Sequence, residues 1–149
     1  MIVHSEAALA IAVEGDLCIL RWMDAPGVQQ FDTVLGVTQR AAARGPLAIL
    51  SVADGVGKLP AFGTEELRAG RRMSEGFQTA SKAVSHVLIM EGFAGVTVRM
   101  FVATLMLARR SGPTSKVFST LDEGVAWLGP FVKTPGVAQR IVDVYESMR

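Results

Sequence analysis

Cysteine occurs once in this 149-residue chain, tyrosine once and histidine twice. A lone cysteine has no intrachain disulfide partner, and Cys18 lies inside the apolar run from Leu17 to Met23, so it reads as core packing in a reducing compartment. His4 sits in a terminus expected to be frayed, and His86 opens an apolar segment. Together they offer neither a Ser/His/Asp arrangement nor a metal-ligand cluster. No catalytic residue, metal or cofactor is therefore expected. Charge of one sign is lacking too: 15 Lys+Arg against 14 Asp+Glu leave +1, with no long-range field to draw nucleic acid or anionic lipid. The first residues lack a basic n-region and a long apolar h-region, which predicts a cytoplasmic protein. Phe93 to Ala108, the most apolar helical stretch, falls short of the roughly 20 residues a bilayer span needs and carries Arg99, so no membrane span is expected.

What is present is apolar. Half of the residues are hydrophobic and only 19% are charged, enough for a generous core with apolar surface left for a partner, so association, most simply a homodimer, is expected. Leu9 to Val13 and Leu17 to Met23, separated by Glu14-Gly15-Asp16, predict a hairpin. Val28, Phe31, Val34, Leu35 and Thr38 recur at helical spacing until Arg44-Gly45-Pro46. Leu47 to Ala53 has the continuous apolar character of a strand covered on both faces. A loop rich in glycine spans Asp54 to Gly63, after which Thr64-Glu65-Glu66 caps a polar, exposed helix running toward Ala83. Ser85 to Met90 repeats the buried-strand pattern, a helix follows from Phe93 to Arg110, and Lys116 to Ser119 is the last strand. The helix is apolar on two faces, one with Val96, Met100, Ala103 and Leu107, the other with Val98, Phe101 and Leu105.

The expected architecture is a single α/β domain: a mainly parallel sheet of four to five strands, an N-terminal hairpin, and helices packed on the sheet. Its closing segment, Val117-Phe118-Ser119-Thr120-Leu121-Asp122-Glu123-Gly124-Val125-Ala126-Trp127-Leu128, joins a strand, a Thr/Asp cap and an amphipathic turn. With this element order, that pattern resembles the STAS-like fold of bacterial anti-sigma-factor antagonists, specifically the SpoIIAA-like branch, over about residues 8 to 128. The resemblance makes 1–128 the STAS-like domain; beyond it, Gly129-Pro130 and Thr134-Pro135-Gly136 frame a linker and Val137, Ile141, Val144, Tyr145 and Met148 mark one face of a final helix, so 129–149 reads as a linker and extra C-terminal helix, packed on the same domain or on a dimer partner. It implies a non-catalytic regulatory module acting through a protein partner. It also implies a phosphorylated Ser or Thr in the first turn of the helix after the central strand. The family's Asp-Ser dipeptide is absent, since Asp54 precedes Gly55-Val56-Gly57-Lys58, and Thr64 is the nearest hydroxyl at a helix start.

Two readings of the Asp54 to Gly63 region stand side by side. In one, a protein partner docks there and on the helix face carrying Arg68, Arg71 and Arg72. In the other, Leu59, Phe62 and Phe93 wall a pocket for an apolar small molecule or lipid. Glu91, at the carboxyl end of its strand, is the polar candidate on the ligand-facing edge of such a sheet. Gly55-Val56-Gly57-Lys58 lacks the spacing and the hydroxyl of a phosphate-binding loop, so it reads as a flexible connection. Thr64 reads first as a helix cap and second as the phosphosite, with Glu65 and Glu66 placed to repel an added phosphate.

Overall fold

Strand alternation divides the apolar residues into two sets, and each set finds its own layer of helices. The computed structural model describes residues 1–24, 26–54, 63–89, 98–100, 102, 103, 105, 114–133 and 137–148. Among these, the strands are β1 (Ile2–Ser5), β2 (Leu9–Glu14), β3 (Leu17–Trp22), β4 (Leu47–Ala53), β5 (Ser81–Leu88) and β6 (Thr114–Phe118). They form one sheet in sequence order. The pairs β1/β2 and β2/β3 are antiparallel, while β3/β4, β4/β5 and β5/β6 are parallel. The expectation of four to five mainly parallel strands is thus corrected to six in a mixed sheet.

The strand that sequence reasoning missed is β1. Its four residues are mostly exposed and show no clear alternation. Backbone pairing holds it: Val13 N–H donates to the Met1 carbonyl at 2.9 Å, and the terminal ammonium donates to the Val13 carbonyl at 3.1 Å. His4 lies in this strand rather than in a frayed end, with Nε2 3.1 Å from Glu6. Between β2 and β3, Gly15 takes φ +58°, the left-handed backbone that a two-residue hairpin turn requires.

Helices α1 (Val28–Ala41) and α2 (Thr64–Ala80) cover one face, where Leu20, Ile49, Phe31, Val34, Met73 and Phe77 form a buried cluster. The other face meets α3 (Leu121–Leu128) and α4 (Val137–Ser147), with Ile19, Leu50, Val87, Leu128, Ile141 and Met148 between them. Each of these fully buried aliphatic side chains contributes about 1.5–3 kcal/mol of transfer free energy. Val98, Arg99, Met100, Val102, Ala103 and Leu105 are also helical; Val98 and Leu105 join the first cluster, whereas Met100 and Ala103 are exposed. Of the two apolar faces expected there, the one with Val98 and Leu105 is buried; Val96, Phe101 and Leu107 lie outside the described residues.

Helix α2 departs from expectation in two ways. It ends at Ala80, because Ser81 turns extended and its hydroxyl donates to the Phe77 carbonyl, so the strand begins four residues earlier than Ser85. It is also less exposed than its polar composition suggests: Ala69, Gly70, Met73, Phe77 and Ala80 form a buried inner face. The closing segment behaves as its residues dictate. Thr120 caps α3, its Oγ1 accepting from Glu123 N–H at 3.3 Å and donating to the Glu123 carboxylate at 2.8 Å. Phe118 meets Trp127 with ring centroids 5.8 Å apart, and Leu128 is fully buried.

Candidate functional site

An arginine inside an apolar strand demands an acid nearby, since an unpaired guanidinium is rarely buried. Arg21 occupies that position in β3, pairing in register with Val52 of β4. Asp54 follows β4 at the carboxyl edge of the sheet, its N–H donating to the Trp22 carbonyl at 3.3 Å. The two side chains, 18% and 16% exposed, form a two-pronged pair: Nη2 to Oδ2 at 2.8 Å and Nε to Oδ1 at 3.4 Å. The remaining guanidinium nitrogen, Nη1, donates to the Met148 carbonyl at 2.8 Å and the Tyr145 carbonyl at 3.4 Å. These carbonyls lie at the C-terminal end of α4, where a helix leaves its last acceptors without intrahelical donors.

Tyr145 completes the cluster. Its hydroxyl donates to Asp54 Oδ2, and its ring lies 4.5 Å from the Arg21 guanidinium carbon. Burial, the hydrogen bond to Asp54 and the negative charge of that carboxylate push the phenol well above its ordinary value. The folded state therefore keeps a proton that the unfolded chain releases near pH 10, so this stabilisation is intact below about pH 10 and declines as pH rises further. Urea midpoints from pH 8 to 11 should fall more steeply for the wild type than for Tyr145→Phe. Parallel curves would refute the assignment.

Each side-chain nitrogen and oxygen of Arg21, Asp54 and Tyr145 has a partner among the described residues, so the cluster fastens α4 to the carboxyl end of β4. On the opposite face of the same edge, Trp22 Nε1–H donates to Ser51 Oγ at 2.9 Å, and the Trp22 and Phe31 rings meet at 5.7 Å. His86 lies well inside β5 rather than at its start, partly buried and in register with Ser51. Cys18 is fully buried, and burial pushes its thiol up to about 12, which makes it inert as a nucleophile at neutral pH.

Of the residues expected at the site, Asp54 stands in this cluster, although neither Arg21 nor Tyr145 was expected beside it. Thr64 is the first residue of α2 and is exposed; Gly63 takes the N-cap position, so Thr64 does not cap the helix. Because α2 returns from the carboxyl edge to the amino edge, Thr64 belongs to the same edge as Asp54. Leu59, Phe62, Glu91 and Phe93 lie outside the described residues, as does the Gly55-Val56-Gly57-Lys58 connection. Arg68 and Arg71 are exposed on α2, and Arg72, half exposed, bridges to Asp32 of α1 at 3.2 Å. Among the described residues, no cluster of His, Cys, Asp and Glu could hold a metal ion, and no helix is long and apolar enough to cross a membrane.

A mixed sheet between two helical layers, with both connections on each side of the central strand β4 made through helices, defines an α/β sandwich of SpoIIAA-like fold. The likeness is to the crystal structure of an uncharacterised protein of the DUF3478 family from Shewanella loihica PV-4, described as having a SpoIIAA-like fold. The two share 15% identity and superpose with a TM-score of 0.51 over 81% of this chain and 92% of the other. At that identity the likeness establishes the fold and carries no activity with it. No protein-family model matches the sequence, and no curated protein matches it.

Proposed function

We propose that this chain is a non-catalytic, cytoplasmic regulatory module of a bacterial signalling system, which works by binding another protein at the carboxyl edge of its sheet. One contrast carries this reading. The polar groups at that edge, Arg21, Asp54 and Tyr145, are spent on fastening α4, whereas Thr64, Arg68, Arg71 and Glu75 stay exposed along one face of α2. Residues spaced by three and four on a helix line a single stripe, here a charged one beginning at the edge where Asp54 leaves β4. Thr64, at the head of the stripe, is the hydroxyl at which phosphorylation would change its charge most directly.

Native mass spectrometry of protein recovered gently from its own cells tests the reading. The expected species is a stoichiometric complex with a second protein chain, lost in a Thr64→Arg/Arg68→Glu variant that retains its thermal midpoint. Equal recovery of the partner by that variant, or a bare dimer of the chain, would overturn it. A small acyl-range mass released on denaturation would assign the region instead to carriage of an apolar ligand.

A further inference from the structure

We propose that the opposite, amino edge of the sheet holds a binding groove for a small polyanion, an organic molecule bearing at least two phosphate or carboxylate groups. The groove is a cavity of about 730 Å³ between the β2/β3 turn, the end of α1 and the start of β5. Four cations line it: Arg40 from the last turn of α1, Arg44 from the 3-10 turn that follows, Lys82 from β5, and Lys133 beyond α3. The acid among them is Asp16.

That acid is already satisfied. Asp16 Oδ2 accepts from Lys82 Nζ at 2.6 Å and from the Lys133 backbone N–H at 3.2 Å. Burial disfavours its ionisation, yet those hydrogen bonds and the Lys82 charge outweigh burial and hold the carboxyl below the usual carboxylate range. Glu14, beside the turn, is engaged by Arg140 on both of its oxygens. Lys82 is therefore neutralised, while the side chains of Arg40, Arg44 and Lys133 make no hydrogen bond or ion pair among the described residues. Three unneutralised cations around one hollow repel one another, and a ligand with several anionic groups removes that repulsion.

The chemistry of the lining narrows the ligand. Two arginine forks one helical turn apart match the planar oxygens of phosphate and carboxylate. Ala41 and Leu47 supply an apolar wall for an organic body, and the volume lies in the range of small-molecule sites. A whole-chain charge of +1 makes this a local concentration of charge, unlike the broad basic surface of a nucleic-acid binder. The groove is at the far end of the strands from Asp54 and Thr64, so it stands or falls independently of the protein-binding reading.

Isothermal titration of the full chain with inorganic pyrophosphate and with citrate, each at low and at physiological salt, tests the proposal. Saturable one-to-one binding is expected, weakened at least about tenfold by Arg40→Ala/Arg44→Ala and more modestly by Lys133→Gln. Arg68→Ala/Arg71→Ala, which removes the same charge from α2, should bind as the wild type does. Absence of saturable binding to both probes would overturn the proposal. So would equal weakening by the α2 variant, or tighter binding to a single-stranded oligonucleotide that survives loss of Arg40 and Arg44.

Discussion

Gly124→Ala should lower stability by about 2 kcal/mol, although alanine is the better helix former. A β-carbon at Gly124 would sit 2.3 Å from Val87 Cγ2 and 3.0 Å from Ser85 Oγ. Val87 is fully buried on β5 and, being β-branched, is restricted at χ1, so it has little freedom to turn aside. Ser85 is equally buried, and its hydroxyl donates to the Gly124 carbonyl at 3.0 Å, fixing α3 at this approach. Relief requires lifting α3 from the sheet, an overpacking cost of about 3 kcal/mol, offset by about 1 kcal/mol of helix propensity. For a chain of this size the melting temperature should fall by roughly 4–8 °C.

Gly76→Ala provides the contrast. There the added carbon would clash with Leu35 Cδ1 alone, at 2.2 Å, its other neighbours lying at 3.8 Å or more, and that methyl is the far end of a half-buried side chain able to swing aside. Repacking and the propensity gain nearly cancel, so a change within about 1 kcal/mol is expected. Equal losses at both glycines in calorimetry would show that α3 does not lean on Val87 as described.

Arg21→Met should cost about 2–4 kcal/mol. Methionine keeps the apolar stem but leaves the Asp54 carboxylate with Tyr145 alone and strips the Tyr145 and Met148 carbonyls of their side-chain donor. Breaking a fully buried pair costs about 3–5 kcal/mol; water still reaches both groups here, which lowers the figure. A typical domain has a total stability of only about 5–15 kcal/mol. The loss should be local first: amides of α4 should lose protection from hydrogen exchange before those of β3 and β4. Because the penalty is that of an abandoned charge, Arg21→Met/Asp54→Leu should recover part of it. A double variant no better than the single one would mean that the pair contributes through packing alone.

These two sites differ in how far they could be read from the chain. The α3 segment is local: Phe118, Thr120, Gly124, Trp127 and Leu128 fall within 11 positions, so strand, cap and amphipathic turn were legible as spacing, whereas the close approach of Gly124 to Val87 depends on a strand more than 30 positions away. The hairpin, α1 and β4 were legible for the same reason, each being a periodic run bounded by turn residues. The Arg21 cluster is not local, because its arginine and the Tyr145 carbonyl are 124 positions apart. The sequence reading passed over Arg21; a cation between Leu20 and Trp22 is the feature that points to a buried acid, and nothing in the spacing says which acid. The amino-edge groove hides likewise, since Arg40, Lys82 and Lys133 converge only after the sheet is ordered. Strand β1 escaped because its four residues are held by backbone bonds, which leave no side-chain pattern.

The central claim is that a protein partner docks at the carboxyl edge. Its most direct test is amide hydrogen exchange on the natively isolated complex, compared with the chain alone. Slowed exchange in the first two turns of α2, from Thr64 through Arg71, with residues 42–46 at the amino edge unchanged, is the predicted result. Protection confined to the amino edge, or none in α2, would contradict it.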